Sequence, residues 1–341
     1  MKASASAGSR NSTFQYHYAI RSREACIRLY RRANNRLKDR LGGWCAALAG
    51  VGLTGALLAA SSPALAVSGI DVATQHVTAR LVSEVTAVAP GQSFWVALEF
   101  DIRDGWHTYW RNPGDSGLAT QLAWRMPYGF TAENMQWTAP HRFDLQPLVN
   151  YGYAGHAIHL IRVSASKDSR PGSTALLSAK ASWLVCSDVC IPERAQLSLK
   201  VPIGSQAGGN DPAHAALFSA ARRELPIAAP GAVIARIDAG RVILRLGREW
   251  DAALSRTTSL SFFPYEDGAI DYASPQTLTR TADAVELAIK AGSRSQKLDA
   301  IRGVLIATED SSGRTVSVPF EILANFRPER TGPVPTQSPI P

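Results

Sequence analysis

The sequence lacks net charge over most of its length. The chain carries a formal charge of +8, but residues 1–66 alone hold ten Lys or Arg residues against Glu24 and Asp39. The rest of the chain therefore sums to zero, and a neutral surface has no electrostatic footprint for nucleic acid. A content of 45% hydrophobic and 19% charged residues is that of a globular protein rather than a disordered one.

Long apolar runs are also scarce. The basic residues end at Arg40, and residues 44–60 form an apolar stretch rich in Ala and Gly, followed by small residues up to Ala66. This order predicts a secretory signal peptide over residues 1–66. An uncleaved membrane anchor is a weaker alternative because the stretch is short for a span of about 20 residues. An organelle transit peptide is a second alternative, but such peptides lack the clear Ala-x-Ala end that this segment has.

Cysteine is the third scarcity. Of the four cysteines, Cys26 and Cys45 fall in the predicted leader, so an exported chain keeps only Cys186 and Cys190. Export places this pair in an oxidising compartment. Any thiol chemistry of the exported protein depends on these two residues.

The exported chain reads as strands. Phe94, Val96, Leu98 and Phe100 alternate with Trp95, Ala97 and Glu99, the pattern of a half-buried strand. Short strands separated by Gly, Pro, Asn and Asp clusters predict an all-β fold, two tandem immunoglobulin-like sandwiches over residues 67–204 and 211–326. One short helix is expected from Asp211 to about Leu225. The tail of residues 327–341, with five prolines, is expected to be disordered.

The cysteine pair follows an apolar strand, with Ser187-Asp188 as a natural turn. A disulfide between residues four apart closes a small ring. By restricting the unfolded chain, such a bond stabilises the folded protein by only about 2 kcal/mol. Structural bridges in sandwiches usually tie distant strands. The pattern therefore favours redox exchange through Cys186 and Cys190 over a structural clip or a metal site.

A copper-handling module is the alternative from a different class. His156 and His159 lie near Met126 and Met135 in sequence, and imidazole with soft sulfur suits copper. Alternation along a strand places the two histidines on opposite faces, which opposes a shared site. We therefore predict neither a metal nor a cofactor.

Three segments together resemble a known family. They are Gly105-Trp106-His107 through Gly117, Asn150-Tyr151-Gly152-Tyr153, and Trp183 through Glu193, which contains both cysteines. They resemble the N-terminal periplasmic domain of the thiol:disulfide interchange protein DsbD, most closely its ScsB-like relatives. The resemblance covers roughly residues 75–325.

The resemblance implies an immunoglobulin-like fold and thiol–disulfide oxidoreductase activity, a protein-disulfide reductase. Electrons would pass from a membrane-embedded thiol reductant to periplasmic thioredoxin-like or disulfide-isomerase-like proteins, with a link to cytochrome c maturation. A cap around Asn150–Tyr153 would shield the cysteines, with Tyr151 or Tyr153 over the sulfurs. Trp106, Tyr109 and Trp110 of the first segment would contact the partner.

The sequence departs from the family pattern in three respects. The family's usual domain spaces its cysteines more widely, and it places Phe where this chain has Asn150 in the cap. No polytopic membrane segment and no Cys-x-x-Cys domain accompany the pair, so the reductant is expected to be a separate protein. The alternative to a redox protein is a non-catalytic binding or copper-handling module that is linked to cytochrome c maturation or metal resistance.

Overall fold

The computed structural model describes residues 67–311 and 314–326. The predicted signal peptide and the predicted disordered tail lie outside these residues. Within them, no helix is long and apolar enough to cross a membrane.

Eleven strands build the first part of the chain as two sheets. They are β1 (Val72–Ala73), β2 (Val77–Ser83), β3 (Ser93–Ile102), β4 (His107–Gly114), β5 (Gln121–Arg125), β6 (Phe130–Ala132), β7 (His141–Leu145), β8 (Leu148–Ala154), β9 (His156–Ala165), β10 (Thr174–Cys186) and β11 (Cys190–Pro202). The first sheet has the order β1-β2-β3-β9-β6, and the second has the order β11-β10-β4-β8-β7 with β5 also paired to β10.

Alternation of apolar side chains produces the core between these sheets. In β3, the side chains of Phe94, Val96, Leu98 and Phe100 are all buried, as their spacing predicts. In β10, every second residue from Ala175 to Val185 is buried. Both sets belong to one hydrophobic cluster, so the predicted all-β, immunoglobulin-like sandwich is confirmed.

A single helix of more than one turn, α1 (Ala215–Glu224), follows the sandwich in the described residues. It begins four residues after the predicted start, because the Asp211 carboxylate accepts hydrogen bonds from the Val67 and Ala213 amides in a preceding turn. Phe218 and Ala221 of α1 are buried in a cluster with side chains of the first sheet. The helix thus covers that sheet rather than linking two independent bodies.

The strands after α1 form a third, eight-stranded sheet. They are β12 (Ile227–Ala228), β13 (Val233–Asp238), β14 (Arg241–Leu246), β15 (Ser259–Pro264), β16 (Thr277–Arg280), β17 (Val285–Lys290), β18 (Ala300–Ser311) and β19 (Arg314–Phe326), with a short helix α2 (Asp251–Leu254) before β15. The order is β15-β18-β19-β13-β14-β17-β16, and β12 pairs with β19. The β13–β14 hairpin turns at Ala239 and Gly240, both at positive φ.

The third sheet packs on the second. The ring of Phe263 lies 4.8 Å from that of Tyr151 and 6.4 Å from that of Trp110, measured between centroids. Asn112 donates a hydrogen bond of 2.8 Å to the Pro264 carbonyl. The division into domains at residues 204–211 stays a prediction.

One core side chain has an uncommon environment. His159 on β9 is fully buried, with the rings of Phe100, Trp137 and Tyr153 at centroid distances of 4.9 to 6.1 Å. Neither of its ring nitrogens has a hydrogen-bond partner among the described residues. Burial lowers the pKa of His159 from 6.5 to about 3, so the folded protein keeps this ring neutral.

His159 therefore makes stability depend on pH. The unfolded chain protonates it below about pH 6.5 and the folded protein only near pH 3, so its contribution is complete above pH 6.5 and is lost progressively below. We expect His159→Leu to remove about 2 kcal/mol of the stability loss between pH 7 and pH 5. Denaturant titrations at both pH values measure this.

His156→Gln is the control. A hydrogen bond with Glu99 raises the pKa of His156, so its contribution has the opposite sign and its replacement should not reduce the acid loss. An unchanged pH dependence in His159→Leu would contradict the prediction.

Candidate functional site

The candidate site lies at the end of a long hairpin. β10 and β11 pair antiparallel from Thr174↔Pro202 to Cys186↔Cys190. Beyond them, a tight turn is closed by a hydrogen bond from the Ser187 amide to the Val189 carbonyl. The register thus places the cysteines directly opposite each other, with Cα atoms 4.2 Å apart, and they form a disulfide.

The two sulfurs differ in accessibility. Cys186 is 1% exposed, because β10 is flanked here by β11 on one side and β4 on the other. Cys190 is the first residue of the edge strand β11 and is exposed, as is Val189 beside it. Of the two residues of the disulfide, Cys190 thus lies at the protein surface and Cys186 is enclosed.

Tyr109 on β4 contacts both sulfurs. Its hydroxyl donates to Cys186 Sγ at 2.8 Å and lies 3.3 Å from Cys190 Sγ. Burial raises the pKa of the Tyr109 phenol, so the group remains a hydrogen-bond donor at neutral pH. A donor held at this position can stabilise negative charge on the sulfur of Cys186.

Polar neighbours hold the Tyr109 hydroxyl in place. The Asn150 side-chain amide donates to it at 3.3 Å, and Ser116 donates to the carbonyl oxygen of that amide at 3.0 Å. The loop that carries Ser116 passes directly over the Tyr109 ring at Gly117, where an added Cβ would lie 2.2 Å from the ring. This loop and Asn150 thus cover the buried side of the disulfide.

His107 completes this face. It is the β4 partner of Cys186 in the strand register, and its ring stacks on that of Phe143 with a centroid distance of 4.6 Å. Burial lowers the pKa of His107, which favours the neutral imidazole.

The residues of the predicted cap lie on both faces of β8. Asn150 reaches the site through Tyr109, but Tyr151 and Tyr153 do not cover the sulfurs. In the β4–β8 register Tyr109 faces Gly152, so Asn150 shares the disulfide face, and the two tyrosines point to the opposite face. Tyr153 donates there to the Thr138 carbonyl, and Tyr151 packs on Phe263.

Two predicted partner contacts are also placed elsewhere. Trp110, next to Tyr109, points to the opposite face, is fully buried and packs against Phe263 and Tyr265. Trp106 is half-buried and stacks on His76 with a centroid distance of 3.7 Å. Of the three aromatic residues predicted from the first segment, only Tyr109 contacts the cysteines.

Sequence reasoning missed several residues of the site. Ser116 and Gly117 belong to the quoted Gly105–Gly117 segment, yet their role follows from where the loop folds. His107 and Phe143 are brought together by the neighbouring strands β4, β8 and β7. Asn150, by contrast, is predicted from the resemblance to the family's cap segment.

The described residues contain no group of three or more metal-ligating His, Cys, Asp or Glu side chains. His156 bonds to Glu99 at 2.7 Å, whereas His159 is buried among aromatic rings on the other face of β9. Met126 and Met135 pack against the hydrophobic core. The His–Met set considered for copper is therefore not assembled.

Gly117 provides a test of the packing on Tyr109. We expect Gly117→Ala to displace the loop or the Tyr109 ring and to change the rate at which dithiothreitol reduces the disulfide by about tenfold. Gly172→Ala is the matched control, because Gly172 also has a positive φ but its Cβ would meet nothing within 4 Å. Equal rates in the two variants would show that this contact does not influence the disulfide.

A known protein family matches the part of the chain that contains the disulfide and its neighbours. The family described as thiol:disulfide interchange protein DsbD, N-terminal, matches residues 78–202, which include both cysteines, Tyr109 and Asn150. None of the curated proteins matches the chain in sequence.

Solved structures extend the comparison to the fold. The N-terminal periplasmic domain of ScsB from Proteus mirabilis superposes with a TM-score of 0.51 at 18% identity, covering 75% of this chain and 97% of that one. The major pilin GBS80 of Streptococcus agalactiae reaches a TM-score of only 0.25 at 8% identity, covering 73% of this chain and 92% of that one. This similarity is too low to indicate a shared fold. The ScsB similarity shows a shared fold that continues beyond the family match, and residues 78–202 are similar to the N-terminal domain of the DsbD family.

Proposed function

We propose that the protein relays electrons by thiol–disulfide exchange between a membrane-embedded thiol reductant and thioredoxin-like or disulfide-isomerase-like proteins of the periplasm. The difference in exposure between Cys190 and Cys186 is the observation that carries this proposal. An exposed sulfur bonded to a buried one gives an incoming thiolate a single point of attack. The predicted leader and the match to a periplasmic domain family support the location.

The uptake step follows from the geometry. A thiolate of the reductant attacks Cys190 Sγ, the bond between the two sulfurs breaks, and its electron pair goes to Cys186 Sγ. The Tyr109 hydroxyl, which already donates to that sulfur, stabilises the leaving thiolate. A second thiol of the reductant then attacks the mixed disulfide, releases Cys190 and leaves the reductant oxidised and this pair reduced.

The delivery step reverses these roles. The Cys190 thiolate attacks the disulfide of a periplasmic target, and a mixed disulfide with the target forms. Cys186 then attacks Cys190 Sγ, which restores the internal disulfide and releases the target as a dithiol. In this assignment Cys190 is the residue that contacts partners, and Cys186 resolves the mixed disulfide.

Single-cysteine variants test this assignment. Reduced Cys186→Ala, which keeps Cys190, should form a mixed disulfide with oxidised glutathione at least about 100-fold faster than reduced Cys190→Ala, whose remaining thiol is buried. The rates are followed by mass spectrometry. In denaturant the two variants should react at the same rate, and similar rates in the folded proteins would contradict the proposed roles.

The reduction potential of the pair tests the relay itself. We expect a value between roughly −180 and −270 mV on equilibration with glutathione or dithiothreitol, the range of exchange proteins. A value below about −300 mV would identify a structural disulfide and would rule out the relay.

A further inference from the structure

A second polar cluster lies beside the disulfide, and the mechanism above does not use it. Glu193 is buried three residues after Cys190, on the inward-facing side of β11. Its carboxylate accepts hydrogen bonds from the His76 amide at 3.1 Å, from His76 Nδ1 at 2.8 Å and from the Thr74 hydroxyl. The side chains of Glu193 and His76 are both less than one-tenth exposed.

His76 also connects to the other side of the hairpin. Its ring lies 3.7 Å from that of Trp106, and its carbonyl accepts from the Arg103 amide. Trp106 directly precedes His107, the strand partner of Cys186. One side chain therefore contacts the segment that leaves Cys190 and the segment that flanks Cys186.

This arrangement matters most when the disulfide is open. In the oxidised protein the covalent bond holds the end of the hairpin closed. In the reduced protein Cys190 begins an edge strand, which is restrained by its pairing with β10, by the Tyr109 hydroxyl and by the Glu193–His76 contact. A buried polar side chain that is fully hydrogen-bonded acts as a specific positional restraint, because leaving its site would leave buried donors and acceptors without partners.

We propose that Glu193 and His76 are positioning residues that keep the reduced Cys190 thiol within bonding reach of Cys186. We call the Glu193–His76–Trp106 contact the clasp. The clasp acts by positioning Cys190, and its residues do not contact the protein or glutathione that reacts with the cysteines. It sets the effective concentration of one thiol at the other, and so the equilibrium of the reaction in which the dithiol and oxidised glutathione give the protein disulfide and two reduced glutathione molecules.

The clasp deepens the proposed function and therefore rests on it. Without the clasp, closing the disulfide has to reorder the end of β11, so the disulfide forms less readily and is easier to reduce. We expect Glu193→Ala to lower the equilibrium constant for disulfide formation against glutathione about tenfold, a rise of about 30 mV in potential. Glu193→Gln keeps an oxygen that accepts from His76, and its constant should stay within about twofold of the wild-type value.

Glu99→Ala is the matched control. Glu99 is also a partly buried carboxylate paired with a histidine, His156, and with Arg80, but it lies on β3 of the first sheet. Its loss should lower the melting temperature and leave the equilibrium constant unchanged. A tenfold change in Glu99→Ala as well, or none in Glu193→Ala, would overturn the clasp.

If Glu193→Ala does not fold, a second variant tests the clasp. His76→Gln keeps a side chain that can donate to Glu193 but removes the ring under Trp106, and the same direction of change is expected. Failure of the clasp and failure of the relay remain distinguishable. The relay fails if the wild-type pair lies in the structural range of potentials, whereas the clasp fails if the variants match a wild-type pair that exchanges.

Discussion

The strand register of β10 and β11 is the constraint on which the site depends. Thirteen consecutive residue pairs bring Cys186 opposite Cys190, and the inward-facing residues of β10 fix this register by filling the core. A slip by one residue would move every side chain of a strand to the other face of the sheet. The cost of exposing that core therefore keeps the two strands in register, while the clasp restrains the end of β11 that carries Cys190.

The same register divides the work between the cysteines. Cys186 ends a strand with a neighbour on each side, whereas Cys190 begins an edge strand that has a neighbour on one side only. Position in the sheet, rather than a nearby cation, thus makes one sulfur accessible and shields the other. Tyr109 on the adjacent strand β4 then supplies a donor to the shielded sulfur, which is where charge appears when the exposed sulfur is attacked.

The sequence allowed the strands, the all-β class and the cysteine pair to be predicted, because alternation and turn residues are local signals. The cap could not be assigned so well. Which face Tyr151 occupies depends on how β8 pairs with β4, where the register shifts between Tyr109 and Gly114. Such an irregularity has no local signature. Glu193 and His76 are 117 residues apart, so their contact also requires the fold.

The third sheet contacts the strands that carry the disulfide's neighbours, because successive side chains of β4 and β8 point to opposite faces of the second sheet. In β4, Tyr109 points to the disulfide and Trp110 to Phe263, and in β8, Asn150 and Tyr151 divide in the same way. The two strands are therefore held from behind by the third sheet while their front carries the contacts to sulfur. Since packed interiors transmit small displacements, the packing of Trp110 and Tyr151 on Phe263 supports the two strands that hold Tyr109 and Asn150 beside the disulfide.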